Sequence, residues 1–200
     1  METILVLYPI QPYADVLMFR ADRSGTEYAE IYQKLISERY RNPRLVWMMF
    51  AEKESQRKPD LSQLWRGISI GKNDVIGSCG VSFEEHCEQK RYPDPKTVIE
   101  ACPKPIEKLI IGGFHFWDCV EKAAQYAHSQ GIDVLVDDDL TEFFFYKIRD
   151  RKGMPSPSCI PVLREKSIAK DRRTFLRSGG RDQLTRVREA RKGKPWLVHI

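Results

Sequence analysis

The stretch GGFHFWDCVEKAAQYAHSQG (112–131) sets a thiol, Cys119, six residues past Gly113 and at the head of a small-residue helix. A cysteine in the first turn of a helix faces unpaired backbone N–H groups and the positive end of the helix dipole, both of which favour the thiolate. The same N–H groups can hold an oxyanion while a carbonyl is attacked. Nucleophilic chemistry is therefore open to this position. The competing reading is packing, because cysteine is among the most buried residue types and a small residue suits a helix start laid on a sheet.

The elements that would position such a thiol are legible as a pattern. Short runs rich in Val, Ile and Leu alternate with segments of helical period, which predicts an α/β fold: a mostly parallel sheet covered by helices on both faces. Six strands are expected, at 3–8, 44–50, 74–80, 108–113, 133–137 and 159–163, the last confined to an edge by Pro161. TEYAEIYQKLISERY puts Tyr28, Ile31, Tyr32, Leu35 and Ile36 on one helix face, with Thr26 as its N-cap. Ser82 and Glu85 have capping-box spacing, PKTVIEAC (95–102) reads as a further helical turn or two, and DVLMFRA reads as an extra short strand. Residues 108–137 form a βαβ unit, its helix over 118–130 carrying Val120, Ala123, Ala124 and Ala127 on one face and ending at Gly131.

Two hundred residues, 42% of them hydrophobic, suit one domain over 1–163 with an extension over 164–200. No apolar run reaches the ~18–20 residues of a membrane span, and METILVLYPIQ is too short and too soon broken by Pro9 for a signal peptide, so a cytoplasmic protein is expected. The five cysteines, odd in number and irregular in spacing, are expected to be reduced thiols. Charge is uneven: residues 151–200 carry 14 Lys+Arg against 4 Asp+Glu, leaving residues 1–150 net acidic. The basic segment 164–194 reads as a solvated face, a grip on an acidic neighbour, or a phosphate-backbone contact, and KPWLVHI at the end is apolar enough to dock. Phe143 to Tyr146 form an aromatic run suited to a contact with a second copy of the chain. Asp137, Asp138 and Asp139 read as a helix cap plus solvated carboxylates rather than a magnesium site. Cys79, His86, Cys87 and Cys102 lack paired zinc spacing, so no metal or cofactor is expected.

LIIGGFHFWDCVEKAAQYAHSQGIDVLVDDDLTE resembles the core of the isochorismatase-like cysteine hydrolases: an apolar strand, a glycine, five variable residues, Cys-Val, a small-residue helix, a glycine and a strand ending in acid. Gly113, Cys119, Val120 and Gly131 carry the likeness over 108–142. The resemblance implies a six-stranded Rossmann-like domain and hydrolysis of a small amide, imide or vinyl-ether type substrate through Cys119. It also implies an aspartate ending the first strand and a lysine ending the third. This sequence has Tyr8, Pro9, Ile10 and Gln11 at the first place, and Gly77, Ser78 and Cys79 at the second. His115, Asp118, Tyr8 and Asp15 are the candidates to exchange the thiol proton in their stead. The N–H groups near Trp117 and Cys119 are the expected oxyanion donors, with Gly113, Tyr8 and Gln11 lining the pocket. Three functional expectations stand together: hydrolysis through Cys119, a non-catalytic binding or oligomeric module on the same scaffold, and nucleic-acid association through the basic segment.

Overall fold

ETILVL is a run of β-branched and aliphatic residues with no polar face, and such a strand is stable only where both sides are covered. It forms β1 (Glu2–Leu7), the centre of the sheet. A computed structural model of the chain describes residues 2–19, 24–114, 116–141 and 197–198. β1 pairs in parallel with β2 (Arg44–Glu52) on one side and β5 (Lys108–Gly113) on the other. β4 (Val75–Ser82) lies parallel to β2, and β6 (Asp133–Thr141) parallel to β5. A hairpin strand, β3 (Ser55–Pro59), turns back antiparallel on the end of β2. β7 (Leu197–Val198) adds to β6 in parallel. Among the described residues the sheet has seven strands, all parallel except β3.

Alternation along β1 divides the core into two layers. Ile4 and Val6 pack with Trp47, Ile110 and the helix α2 (Thr26–Arg39), whose Tyr28, Ile31, Tyr32, Leu35 and Ile36 are buried as the helical spacing predicts. Ala14 of α1 (Gln11–Phe19) belongs to the same layer. Leu5 and Leu7 face the other way, onto Val98 and Ile99 of α4 (Pro95–Glu100) and Ala123, Ala124 and Ala127 of α5 (Glu121–Ser129). The alanines let α5 lie close to the sheet, and Gly131, at φ +75°, ends the helical segment in the left-handed conformation. The capping box of Ser82 and Glu85 forms at the start of α3 (Phe83–Glu88). The fold class is the expected one: α/β, a mostly parallel sheet with helices on both faces.

Several local expectations are corrected. DVLMFRA is not a strand; its first five residues belong to α1, where Pro12 in the first turn presets a helical φ and the run lacks strand alternation. Thr26 is the first residue of α2 rather than its cap. Gly25 is the N-cap residue, and just before it Ser24 Oγ accepts from Thr26 N–H at 3.3 Å while Ser24 N–H donates to Glu27 Oε1 at 3.2 Å. The helix after β5 begins two residues early, as a π-helical turn over Phe116–Val120. Asp137 is not a solvated carboxylate: it lies within β6, buried, where its carboxylate accepts from Arg39 Nη1 at 2.7 and 2.8 Å and from Tyr40 O–H at 2.8 Å. The hairpin strand β3 was not anticipated. His115, the aromatic run 143–146, the expected strand 159–163 and the basic segment 164–194 lie outside the described residues. No helix among the described residues is long and apolar enough to cross a membrane.

Candidate functional site

From β1 the chain passes to β2 on one side, and from β5 to β6 on the other, so the carboxyl ends of β1 and β5 flank the point where strand order reverses. In an open parallel sheet that point is where a crevice forms. Tyr8 and Gly113 close these two strand ends, and Cys119 follows six residues after the glycine.

Tyr8 does not continue the alternation of β1. An extended residue 8 would join Ile4 and Val6 on the α2 layer, yet Tyr8 packs in the layer of Leu5 and Leu7. A left-handed backbone at φ 55° redirects it. That conformation is costly for a bulky residue and is held here by two backbone bonds, Tyr8 N–H to Met48 C=O at 2.8 Å and Ile10 N–H to Tyr8 C=O at 2.7 Å. The ring stacks on Phe50 with centroids 4.5 Å apart, and its hydroxyl is hydrogen-bonded to the side chain of Cys119.

Gly113 makes that meeting possible. At φ +96° it brings β5 so near β1 that a Cβ would lie 2.1 Å from the Leu7 carbonyl oxygen, and Phe114 N–H then bonds that oxygen at 3.0 Å. The π-helical turn that follows carries Cys119 inward; such turns are rare and recur at functional sites. Cys119 is 7% exposed, Tyr8 2% and Cys79, on β4, 1%.

The electrostatics follow from burial. Desolvation, then the charges of Cys119 and Cys79, push the Tyr8 phenol well above its ordinary range, so it stays protonated. Burial pushes the Cys79 thiol up to about 12, and its S–H donates to Val81 C=O at 3.4 Å. Tyr8, just past the end of β1, and Cys79, within β4, therefore stand as neutral groups at the positions where the resemblance implies an aspartate and a lysine.

A polar mouth borders this cluster. Asp118 Oδ1 pairs with Lys122 Nζ at 2.7 Å, and that ammonium lies 4.7 Å from the centre of the Tyr92 ring. His86 contacts the edge of Tyr92 and the face region of Phe50, both at 5.2 Å between centroids. Burial alone would lower the Lys122 ammonium, but the hydrogen bond and charge of Asp118, then the charges of Cys119 and Tyr92, hold it above its ordinary value.

Of the residues singled out by sequence, the structure brings Cys119, Tyr8 and Gly113 together and sets Asp118 beside them in an ion pair. Trp117 contributes backbone to the π-helical turn. Gln11 and Asp15 pair with each other instead: Gln11 Nε2 donates to Asp15 Oδ1 at 2.7 Å, and Gln11 Oε1 accepts from Arg66 N–H at 2.6 Å. Once residues 11–19 are helical, an i,i+4 pair is the natural partner for both. Lys122, Phe50 and Tyr92 were missed. Lys122 had a signal in its spacing, four residues after Asp118 and three after Cys119. Among the described residues no group of three or more His, Cys, Asp or Glu is arranged to hold a metal ion.

Fold and site define a doubly wound α/β protein with a thiol at its switch point. No protein-family profile and no curated protein matches the chain. Among solved structures it is similar to pyrazinamidase of Pyrococcus horikoshii, at 11% identity over 100% of this chain and 99% of that one, with a TM-score of 0.47. It is also similar to a cysteine hydrolase from Pseudomonas syringae pv. phaseolicola, at 13% identity over 94% and 93% of the two chains and a TM-score of 0.48. An isochorismatase-like hydrolase from Alkaliphilus metalliredigens shares 13% identity over 71% of this chain and 81% of that one, with a TM-score of 0.38. These neighbours are isochorismatase-like and related cysteine hydrolases.

Proposed function

We propose that this protein binds a small amide-type ligand in the crevice at Cys119 without hydrolysing it. One observation carries the reading: the side chain delivered to Cys119 by the end of β1 is a buried phenol, Tyr8, held protonated well above its ordinary range. Hydrolysis through a thiol needs a group that takes the thiol proton and later returns it to the leaving amine, with a pKa near the working pH. Neither Tyr8 nor Cys79 meets that requirement. Among the described residues, the carboxylate beside the cluster, Asp118, is paired with Lys122, and the phenol on the thiol is a donor, which supports recognition of a carbonyl group rather than its turnover.

The test uses pyrazinamide as probe and the intact chain. Ammonia release is expected to equal that of Cys119→Ala, while saturating pyrazinamide slows alkylation of Cys119 by iodoacetamide. Ammonia release that depends on Cys119 would overturn the reading in favour of a hydrolase. Absence of both release and protection would overturn it as an amide-binding site.

A further inference from the structure

β4 differs from the other parallel strands in what lies beside it. Among the described residues it pairs with β2 alone, whereas the opposite edge of the sheet is extended by β7. Its sequence, VIGSCGVS, has no charge and no proline, the residues that ordinarily guard a sheet edge against a further strand. Straight pairing with β2 runs over Val75–Ser78, before the register shifts. Those four residues are half-buried, while Leu5, Val46 and Ile110 on the inner strands are sealed. The polar strand β3 meets this stretch through a side chain, Ser78 O–H donating to Gln56 C=O at 2.8 Å.

The crossover that delivers β4 accounts for its exposure. β1 reaches β2 through α1 and α2, β4 reaches β5 through α3 and α4, and β5 reaches β6 through α5. β2 reaches β4 through the hairpin strand, a 3-10 turn at Leu61–Gln63 and a loop, with no α-helix. On the α2 side the loop packs Ile68 beside Ile76 of β4 and leaves Ile70 37% exposed. It is nevertheless fixed. Gln33 Nε2 donates to Ser69 C=O at 2.6 Å, Ser69 N–H donates to Gln33 Oε1 at 3.2 Å, and Asp74 Oδ2 accepts from Trp47 Nε1 at 2.9 Å and Gly71 N–H at 2.8 Å. An apolar edge already held in place loses little freedom when something docks on it.

We propose that this edge is the contact between two copies of the chain, β4 pairing antiparallel with the β4 of a second copy about a two-fold axis. The charges at the two ends of the strand favour that occupant. Exposed Lys72 stands at the entry to β4, and exposed Glu84 and Glu88 of α3 stand at its exit. A two-fold contact sets residue i against j and j against i, so antiparallel pairing brings each basic entry toward the other copy's acidic exit, twice. Parallel alignment would bring like charges together. Glu84 also pairs with Lys53 at 2.9 Å, but both side chains are exposed, so that bond is weak and leaves the carboxylate open to a second cation. The proposal stands independently of what the crevice at Cys119 binds.

Sedimentation velocity on the intact chain tests it, from about 1 μM to 1 mM, the range in which a contact of small area associates. The native chain is expected to dimerise. Lys72→Glu and Glu84→Lys each place like charges at both ends of the contact, and each should weaken dimerisation about 10-fold. An equimolar mixture of the two variants should restore it, because the mixed dimer has opposite charges at both ends. Circular dichroism and urea midpoints equal to those of the native chain show that the variants fold. A chain that stays monomeric throughout overturns the proposal. So does a dimer indifferent to both substitutions, or a mixture that associates no better than either variant alone.

Discussion

Replacing Gly113 by alanine tests whether the contact between the ends of β1 and β5 holds the site together. The added Cβ would lie 2.1 Å from Leu7 O, 2.5 Å from Leu7 N and 2.8 Å from Leu7 C. All three atoms belong to the backbone of the central strand, so no flexible side chain can swing aside. The residue also sits at φ +96°, where an L side chain costs about 1–2 kcal/mol before any clash. Relief requires β1 and β5 to part at their carboxyl ends, at the expense of the 3.0 Å bond from Phe114 N–H to Leu7 O, about 1 kcal/mol net, and of packing around Tyr8. The sum is about 3–5 kcal/mol, a large part of the stability of an ordinary domain. Gly131→Ala is the reference: φ is +75° there, but nothing lies within 4 Å of the new atom, so about 1–2 kcal/mol is expected. Urea unfolding of both variants gives the comparison. A Gly113→Ala variant no less stable than Gly131→Ala would refute the close approach, and with it the placement of Tyr8 against Cys119.

Two further outcomes follow from named contacts. Tyr8→Phe keeps the stack on Phe50 but removes the hydroxyl; it should cost about 1 kcal/mol in urea unfolding and raise the pH midpoint of Cys119 alkylation, and an unchanged midpoint would mean that the phenol donates nothing to the sulfur. Asp137→Ala strands the Arg39 guanidinium and the Tyr40 hydroxyl beside β6 and should cost about 3 kcal/mol in the same assay, whereas a cost under about 1 kcal/mol would mean that the pair is solvated.

What could be read from sequence was what depends on neighbours in sequence. The unit from Lys108 to Asp137 was legible because strand, glycine, alanine-faced helix and glycine follow one another within 30 residues, and each obeys a local rule. The central strands were legible because parallel strands buried on both sides are unbroken apolar runs. β3, by contrast, is a polar pentapeptide, SQRKP, made a strand only by the end of β2, and β7 is two residues long. The burial of Asp137 is not visible in the run of three aspartates because its partner Arg39 is 98 residues away. The candidate site divides along the same line: spacing alone picks out Cys119 and Gly113, while the pairing of Gln11 with Asp15 depends on α1, a helix that the sequence pattern does not announce. Lys122 was visible as a spacing, but its meaning depends on Tyr92, which arrives from another segment.

The backbone of Tyr8 bears most directly on what the crevice can do. Strand alternation would have sent this side chain to the α2 layer, and only the left-handed turn at φ 55° brings it across to the sulfur. A non-glycine residue in that region costs of order 1–2 kcal/mol, which the stack on Phe50, about 0.5–1.5 kcal/mol, and the bonds to Met48 and Ile10 can offset. The strain thus places a hydrogen-bond donor, and not a proton acceptor, against the thiol. A phenol that donates to the thiol stabilises negative charge on the sulfur. Tyr8 and Cys79, both raised by burial, keep their protons near neutral pH. On the proposed reading the crevice holds a carbonyl without expelling an amine, and introducing a carboxylate at position 8 would supply a proton acceptor beside Cys119.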